Sequence, residues 1–164
     1  MADYVYLSIG SNIGNGPVNC KKAVQEIGKV DGIEVIVVSS LYETTPVGFQ
    51  KQADFTNMAL KIKTAIAPVK LLGIFKEIED NMGRTESFQW GPRIIDIDII
   101  LYGNKIVDEE ALRIPHPLML ERSFVMIPLS EIAGEVPHPL DGRKISELLS
   151  HFSTRDKVKK LYDD

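Results

Sequence analysis

From Ile94 to Leu101 the chain reads Ile-Ile-Asp-Ile-Asp-Ile-Ile-Leu, and a β-strand is the element that this alternation suits. Successive strand side chains point to opposite faces. Ile95, Ile97 and Ile99 therefore share one face, and Asp96 and Asp98 share the other. The two carboxylates can converge on one ion. A pair of carboxylates on a rigid strand is the hard, oxygen-rich kind of site that Mg²⁺ takes, with nucleotide phosphates and water completing its octahedron. Just upstream, Gly91-Pro92 turns the chain, and Trp90 adds a large flat surface. Arg93 offers a planar cation to phosphate oxygens. A lone Asp-x-Asp would read as the wet side of an amphipathic strand. The company of tryptophan, glycine, proline and arginine favours a phosphate-and-metal site.

The rest of the chain supplies a fold for that strand. Tyr4 to Ile9 alternates with Val5, Leu7 and Ile9 on one face, a first strand. The Gly10–Pro17 stretch lacks both Walker and Gly-x-Gly-x-x-Gly spacing, so it reads as a plain connection to a helix over Val18–Lys29. Ile33 to Tyr42, rich in Val and Ile, reads as one strand, and Phe55 to Ile62 as the next. Pro68 suits the first turn of a helix. Leu71, Phe75, Ile78 and Met82 form its apolar stripe, and Gly83 is placed to stop it. Strand, helix, strand, strand, helix, strand is the order of a ferredoxin-like α+β fold, βαββαβ. Beyond it we expect a short hairpin around Tyr102–Lys105, a helix including Glu121–Ile132 with Pro128 inside it, a turn at Asp141-Gly142 and a last helical segment over Ile145–Phe152. The Arg155–Lys160 run reads as a solvated charged tail. No repeat or linker divides residues 1–164, so a single domain is expected.

Composition narrows the function. With 44% apolar and 26% charged residues the chain is of globular type, and a net charge of −4 argues against a surface built for nucleic acid. A local basic pocket for a polyphosphate stays compatible with it. Cys20 is the single cysteine, so no intrachain disulfide forms, and a buried thiol is expected there. No apolar run nears the length of about 18 residues that a membrane helix needs. A cytoplasmic protein without a membrane partner is the expectation, with a monomer as the default.

Several blocks resemble one family. Trp90-Gly91-Pro92-Arg93-x-x-Asp96-Ile97-Asp98 is similar to the signature of the 6-hydroxymethyl-7,8-dihydropterin pyrophosphokinases of folate biosynthesis. Pro115-His116-Pro117-Leu118-Met119-x-x-Arg122-x-Phe124-Val125, continuing through Pro128-Leu129-x-Glu131-Ile132-Ala133, resembles a second block. Ile9-Gly10-Ser11-Asn12, Tyr42-Glu43-Thr44-x-Pro46-Val47-Gly48 and Asp54-Phe55-x-Asn57 resemble others, in the family's order. The resemblance implies a ferredoxin-like fold and Mg²⁺-dependent transfer of the β,γ-pyrophosphoryl group of ATP to the pterin hydroxymethyl oxygen, with AMP released. It implies that Asp96 and Asp98 hold two Mg²⁺ ions against the triphosphate, and that Arg84 and Arg93 clamp phosphates. Glu79, Trp90, Arg93, His116 and Arg122 would lie on the ATP side. Phe55 and Phe124 would stack on the pterin, Asn57 would read its edge, and backbone near Thr44 and Val47 would complete that edge. Taken singly, each phenylalanine reads as a core residue, Glu79 and Arg122 as solvated helix charges, and His116 as a turn residue.

The chain departs from the family pattern at Gln89, where a basic residue is usual, and across Thr85–Phe88, which carries Glu86 and no cation. A weaker hold on ATP is expected from this loop. Two other readings compete with the resemblance. A non-catalytic RNA-binding module would need aromatic and basic runs on its sheet strands. A kinase moving only the γ-phosphoryl group would use the same metals, arginines and acceptor pocket.

Overall fold

The computed structural model describes residues 2–44, 55–83, 94–150 and 158–161. Strand β1 (Asp3–Ser11) is followed by helix α1 (Gly16–Gly28), β2 (Ile33–Val38), β3 (Leu41–Thr44), β4 (Phe55–Thr64), α2 (Pro68–Asn81) and β5 (Asp96–Tyr102). A small hairpin of β6 (Val107–Asp108) and β7 (Arg113–Ile114) comes next. It leads through a 3-10 turn at Met119–Glu121 to α3 (Ser123–Ala133), α4 (Ile145–Leu149) and β8 (Val158–Leu161). The main sheet runs β5-β1-β4-β3-β8, with β2 also on β4, and among the described residues these pairings are all antiparallel. Long β4 takes β2 on its C-terminal half and β3 on its N-terminal half. Read as one interrupted strand, β2 and β3 complete the ferredoxin-like α+β order expected from the sequence.

Alternation decides the layers. Val5, Leu7 and Ile9 of β1, Leu60 and Ile62 of β4, and Ile95, Ile97 and Ile99 face one core with Cys20, Ala23 and Ile27 of α1 and Leu71, Phe75 and Ile78 of α2. The opposite face is covered in part: Tyr6, Ala59, Ile100 and Leu101 pack under Val125, Met126 and Leu129 of α3 and Ile145 and Leu148 of α4. Helix α1 starts earlier than the apolar spacing suggests, because Asn15 caps it by accepting the Val18 N–H at 3.1 Å and Pro17 fits its first turn. Gly83, at φ +92°, follows the end of α2 in the left-handed region that glycine adopts without strain.

Four expectations need correction. The strand expected over Ile33–Tyr42 is broken at Ser39-Ser40. The Ser39 N–H still donates to the Ala59 carbonyl at 2.9 Å, but the Ala59 N–H goes to the Ser39 hydroxyl at 2.8 Å, which itself donates to the Ser40 carbonyl at 2.8 Å, so a side chain takes half of the backbone exchange. Tyr102–Lys105 is a turn, closed by the Lys105 N–H on the Tyr102 carbonyl at 2.9 Å, and the hairpin lies further on, at Val107–Ile114. The last described helix ends at Leu149. The charged C-terminal run is not simply solvated: Val158–Leu161 adds a strand to β3, where Lys159 faces Glu43 across the pair. Lysines on such an outer strand keep it from pairing further.

Candidate active site

Directly paired residues of an antiparallel sheet point to the same face, and the register assembles a row that no local motif reveals. Asp96 on β5 pairs with Gly10 on β1, Gly10 with Asn57 on β4, Asn57 with Tyr42 on β3, and Tyr42 with Lys160 on β8. The row lies on the face that α3 partly covers, as does the neighbouring pair Asp98 and Ser8. Gly10 sits between the carboxylate and the amide, so the sheet floor between them carries no side chain. Two strand spacings separate Asp96 from Asn57, about 10 Å.

At one end, Asp96 and Asp98 are half-buried on the outermost strand of that side. Among the described residues no group of three or more His, Cys, Asp and Glu could hold a metal. Two carboxylates alone suit Mg²⁺, which keeps several waters and binds through one or two carboxylates plus substrate phosphates. The fit is therefore to a metal brought in with a polyphosphate.

The segment that leads into α3 carries His116 and Arg122, and α3 itself carries Phe124. A bulge in the β1–β5 pairing near Ile100 breaks the ladder there, and the His116 N–H donates to the Ile100 carbonyl at 3.0 Å. His116 Nδ1 accepts the Leu118 N–H at 3.1 Å, so the neutral ring carries its proton on Nε2 as a donor. Burial, and next the positive Arg122, push the His116 pKa down to about 4, with Asp96 pulling the other way. His116, Arg122 and Asp96 thus share one electrostatic neighbourhood, in which the imidazole is an uncharged hydrogen-bond donor at neutral pH. Between pH 6.5 and about 4 the unfolded chain binds a proton that the folded one refuses. The contribution of His116 to stability is complete above pH 6.5 and declines as pH falls through that window. In urea titrations of the ligand-free protein, His116→Ala should reduce the loss of stability between those two values.

The Arg122 guanidinium lies 5.7 Å from the Phe124 ring centroid, joining a residue expected on the ATP side to one expected on the pterin side. Phe55 and Phe124 are each half-buried, and Phe124 packs against the core under α3 as the reading of it taken singly expects, while part of each residue's surface stays accessible. Asn57 is buried, and its Nδ2 donates to Thr44 Oγ1 at 2.8 Å. Glu79 is no solvated charge. It is 4% exposed, and its carboxylate accepts the N–H of Ile97, the residue between the aspartates, at 2.7 Å. It ties α2 to β5 from the layer opposite α3. Arg84, Trp90, Arg93 and Val47, with the cation-poor loop around Glu86, lie outside the described residues.

Gly10 and Glu79 carry more than the sequence reading gave them. A glycine inside a strand pattern already signals close approach of another group, and a Cβ on Gly10 would meet Asn57 Oδ1 at 2.9 Å. Glu79 follows Leu71 and Phe75 at i+8 and i+4, on the edge of the buried stripe.

Comparisons with known proteins place the chain in a family. A family model described as 7,8-dihydro-6-hydroxymethylpterin-pyrophosphokinase (HPPK) matches residues 6–134. The 2-amino-4-hydroxy-6-hydroxymethyldihydropteridine pyrophosphokinase of Bacillus subtilis is 43% identical over 83% of this chain and 81% of its own. The Aquifex aeolicus protein of the same name is 39% identical over 87% of this chain and 88% of its own. Among solved structures, an HPPK-DHPS in complex with substrates superposes over 99% of this chain and 47% of that one, with a TM-score of 0.77 at 16% identity. At that identity the likeness speaks for the fold alone.

Proposed function

The chain belongs to the 7,8-dihydro-6-hydroxymethylpterin-pyrophosphokinase family of folate biosynthesis, and we propose that its reaction runs along the row from Asp96 to Asn57. ATP and the hydroxymethyl pterin are the substrates of such enzymes, the β,γ-pyrophosphoryl group is transferred, and AMP leaves. The observation that carries the assignment of the site is the shared register of Asp96, Gly10 and Asn57 on one sheet face.

Asp96 and Asp98 are the residues that would hold Mg²⁺ at the triphosphate, two ions in our reading, alongside the half-buried His116 and Arg122. When bound, the metal would neutralise phosphate oxygens and polarise the β-phosphorus for in-line attack. His116 Nε2–H and the Arg122 guanidinium supply donors to phosphate oxygens, and Arg84, Arg93 and Trp90 complete the nucleotide side. Asn57 reads the pterin edge with Thr44 and Val47, while Phe55 and Phe124 bound its faces. Phosphoryl-type transfer asks chiefly for positioning and charge stabilisation, and these residues offer both. Glu79 supports the nucleotide side through the backbone of Ile97. One domain over residues 1–164, acting as a cytoplasmic monomer on two small molecules, remains our reading of organisation and compartment. Among the described residues no helix is long and apolar enough to cross a membrane.

The test is to incubate the protein with ATP, Mg²⁺ and 6-hydroxymethyl-7,8-dihydropterin and to separate the nucleotides. AMP formed only with pterin and metal present is the expected result. ADP would reassign the reaction to γ-phosphoryl transfer, and no turnover would refute the reading.

Gly10→Ala is a sharper probe of the floor. Its methyl would press on Asn57 Oδ1 and displace the amide from Thr44, so the pterin KM should rise by about tenfold, the equivalent of one lost hydrogen bond. The ATP KM should change little. Steady-state kinetics with each substrate varied in turn would show the split.

A further inference from the structure

Beyond the residues that face the substrates, we propose that Glu131 positions the pterin end of the site by locking α3 onto β3 through Tyr42. The inference rests on the reading of Asn57 and Thr44 as pterin contacts. The Glu131 carboxylate accepts three bonds from β3 and the break preceding it: the Tyr42 hydroxyl at 2.5 Å, the Ser40 N–H at 2.8 Å and the Ser40 hydroxyl at 3.2 Å. Burial alone would raise its pKa. The Tyr42 and Ser40 bonds, with the charge of Lys160 on β8, nonetheless hold it below the ordinary value. A carboxylate so engaged stays ionised and fixed at neutral pH.

What it fixes follows from the helix and the sheet. Tyr42 stands beside Asn57 in the row, and Thr44 follows two residues along the same face of β3. On α3, Glu131 lies seven residues after Phe124, two helical turns along one stripe. Pro128 lies between them and has no N–H for the Phe124 carbonyl, so the helix lacks a rung at the turn that joins the two. The strand lies between β4 and β8, and its N-terminal end is where the carboxylate grips it. It is four residues long and starts immediately after the Ser39-Ser40 break. One carboxylate thus adds a polar tie between the two elements that carry Phe124 and Thr44, beside the apolar packing of α3 on the sheet.

The experiment compares Tyr42→Phe, Glu131→Gln and Glu131→Ala with the wild type. The readouts are kcat, the KM for 6-hydroxymethyl-7,8-dihydropterin, the KM for ATP and the Tm. Tyr42→Phe keeps the buried ring and removes only the hydroxyl, so the fold survives in that variant. The pterin KM is expected to rise by about tenfold in Tyr42→Phe and Glu131→Ala, and less in Glu131→Gln, which retains an acceptor. The ATP KM should stay within about twofold. Proportional loss in both substrates tracking Tm would mean general support of the fold and would overturn the proposal, as would an unchanged pterin KM. Asn57→Ala separates the premise: if it leaves the pterin KM intact, the pocket itself is misassigned. If it raises that KM while Tyr42→Phe does not, the pocket stands and the lock is refuted.

Discussion

Asp98→Ala is expected to lower kcat/KM by about a thousandfold, at the upper end of the effect of removing one preorganised charge-stabilising group. Asp98 sits two residues from Asp96 on the same face, and the described site has no third carboxylate to take its place. A metal arriving with ATP would then have one protein anchor instead of two, and the phosphate chain would lose its alignment with the acceptor. Asp98 is half-buried on an outer strand of the sheet, so the Tm should move by no more than a few degrees, as for substitutions away from the core. Activity lost without loss of fold is the signature of a ligand residue. Extra Mg²⁺ should restore part of the rate, because the remaining carboxylate still binds, only more weakly. An Asp98→Ala enzyme with near-normal kcat/KM would remove this pair from the metal site.

Glu79→Ala is expected to damage stability and rate together. The carboxylate is 4% exposed and accepts the Ile97 N–H at 2.7 Å on the side of β5 that β1 does not occupy. Its removal leaves a buried donor without that acceptor, a cost of about 1–3 kcal/mol, or a Tm lower by roughly 3–10 °C for a chain of this size. Ile97 separates the two aspartates, so a shift of its backbone moves both. Misplacement by about 1 Å can cost a hundredfold in rate, and a fall in kcat of about ten- to a hundredfold is anticipated. Glu79→Gln keeps an acceptor and should recover most of both. Thermal melts and initial rates on the three proteins decide it. A stable Glu79→Ala with normal kcat would show that the contact is dispensable.

The parts of the fold that were legible in the sequence are those where periodicity is local. The Asp-Ile alternation gave β5 and its faces, Val5, Leu7 and Ile9 gave β1, and the Leu71, Phe75, Ile78 stripe gave α2. Features that depend on distant partners were not legible. The ladder is interrupted at Ser39 because its hydroxyl takes the Ala59 N–H across the sheet, and Val158–Leu161 becomes a strand because β3 offers an open edge. Register, too, is a long-range property: nothing local places Asp96, Gly10, Asn57 and Tyr42 side by side. The motif blocks brought candidate residues forward, and the sheet sorted them by position. Asp96, Asp98, His116 and Arg122 fall together, and so do Asn57 and Thr44. Glu79 lies in the opposite layer and acts on β5 through its backbone. Its burial could have been read from its place at i+4 from Phe75, had the charge not suggested solvent.

The most direct test of the row is backbone amide NMR of the protein with an ATP analogue and Mn²⁺, followed by addition of the pterin. Paramagnetic broadening should be strongest at Asp96, Asp98, Ser8 and Gly10 and fade towards Asn57, Thr44 and Tyr42, which should instead shift when the pterin binds. Broadening centred on any other face of the sheet, or pterin shifts that bypass Asn57 and Thr44, would contradict the account.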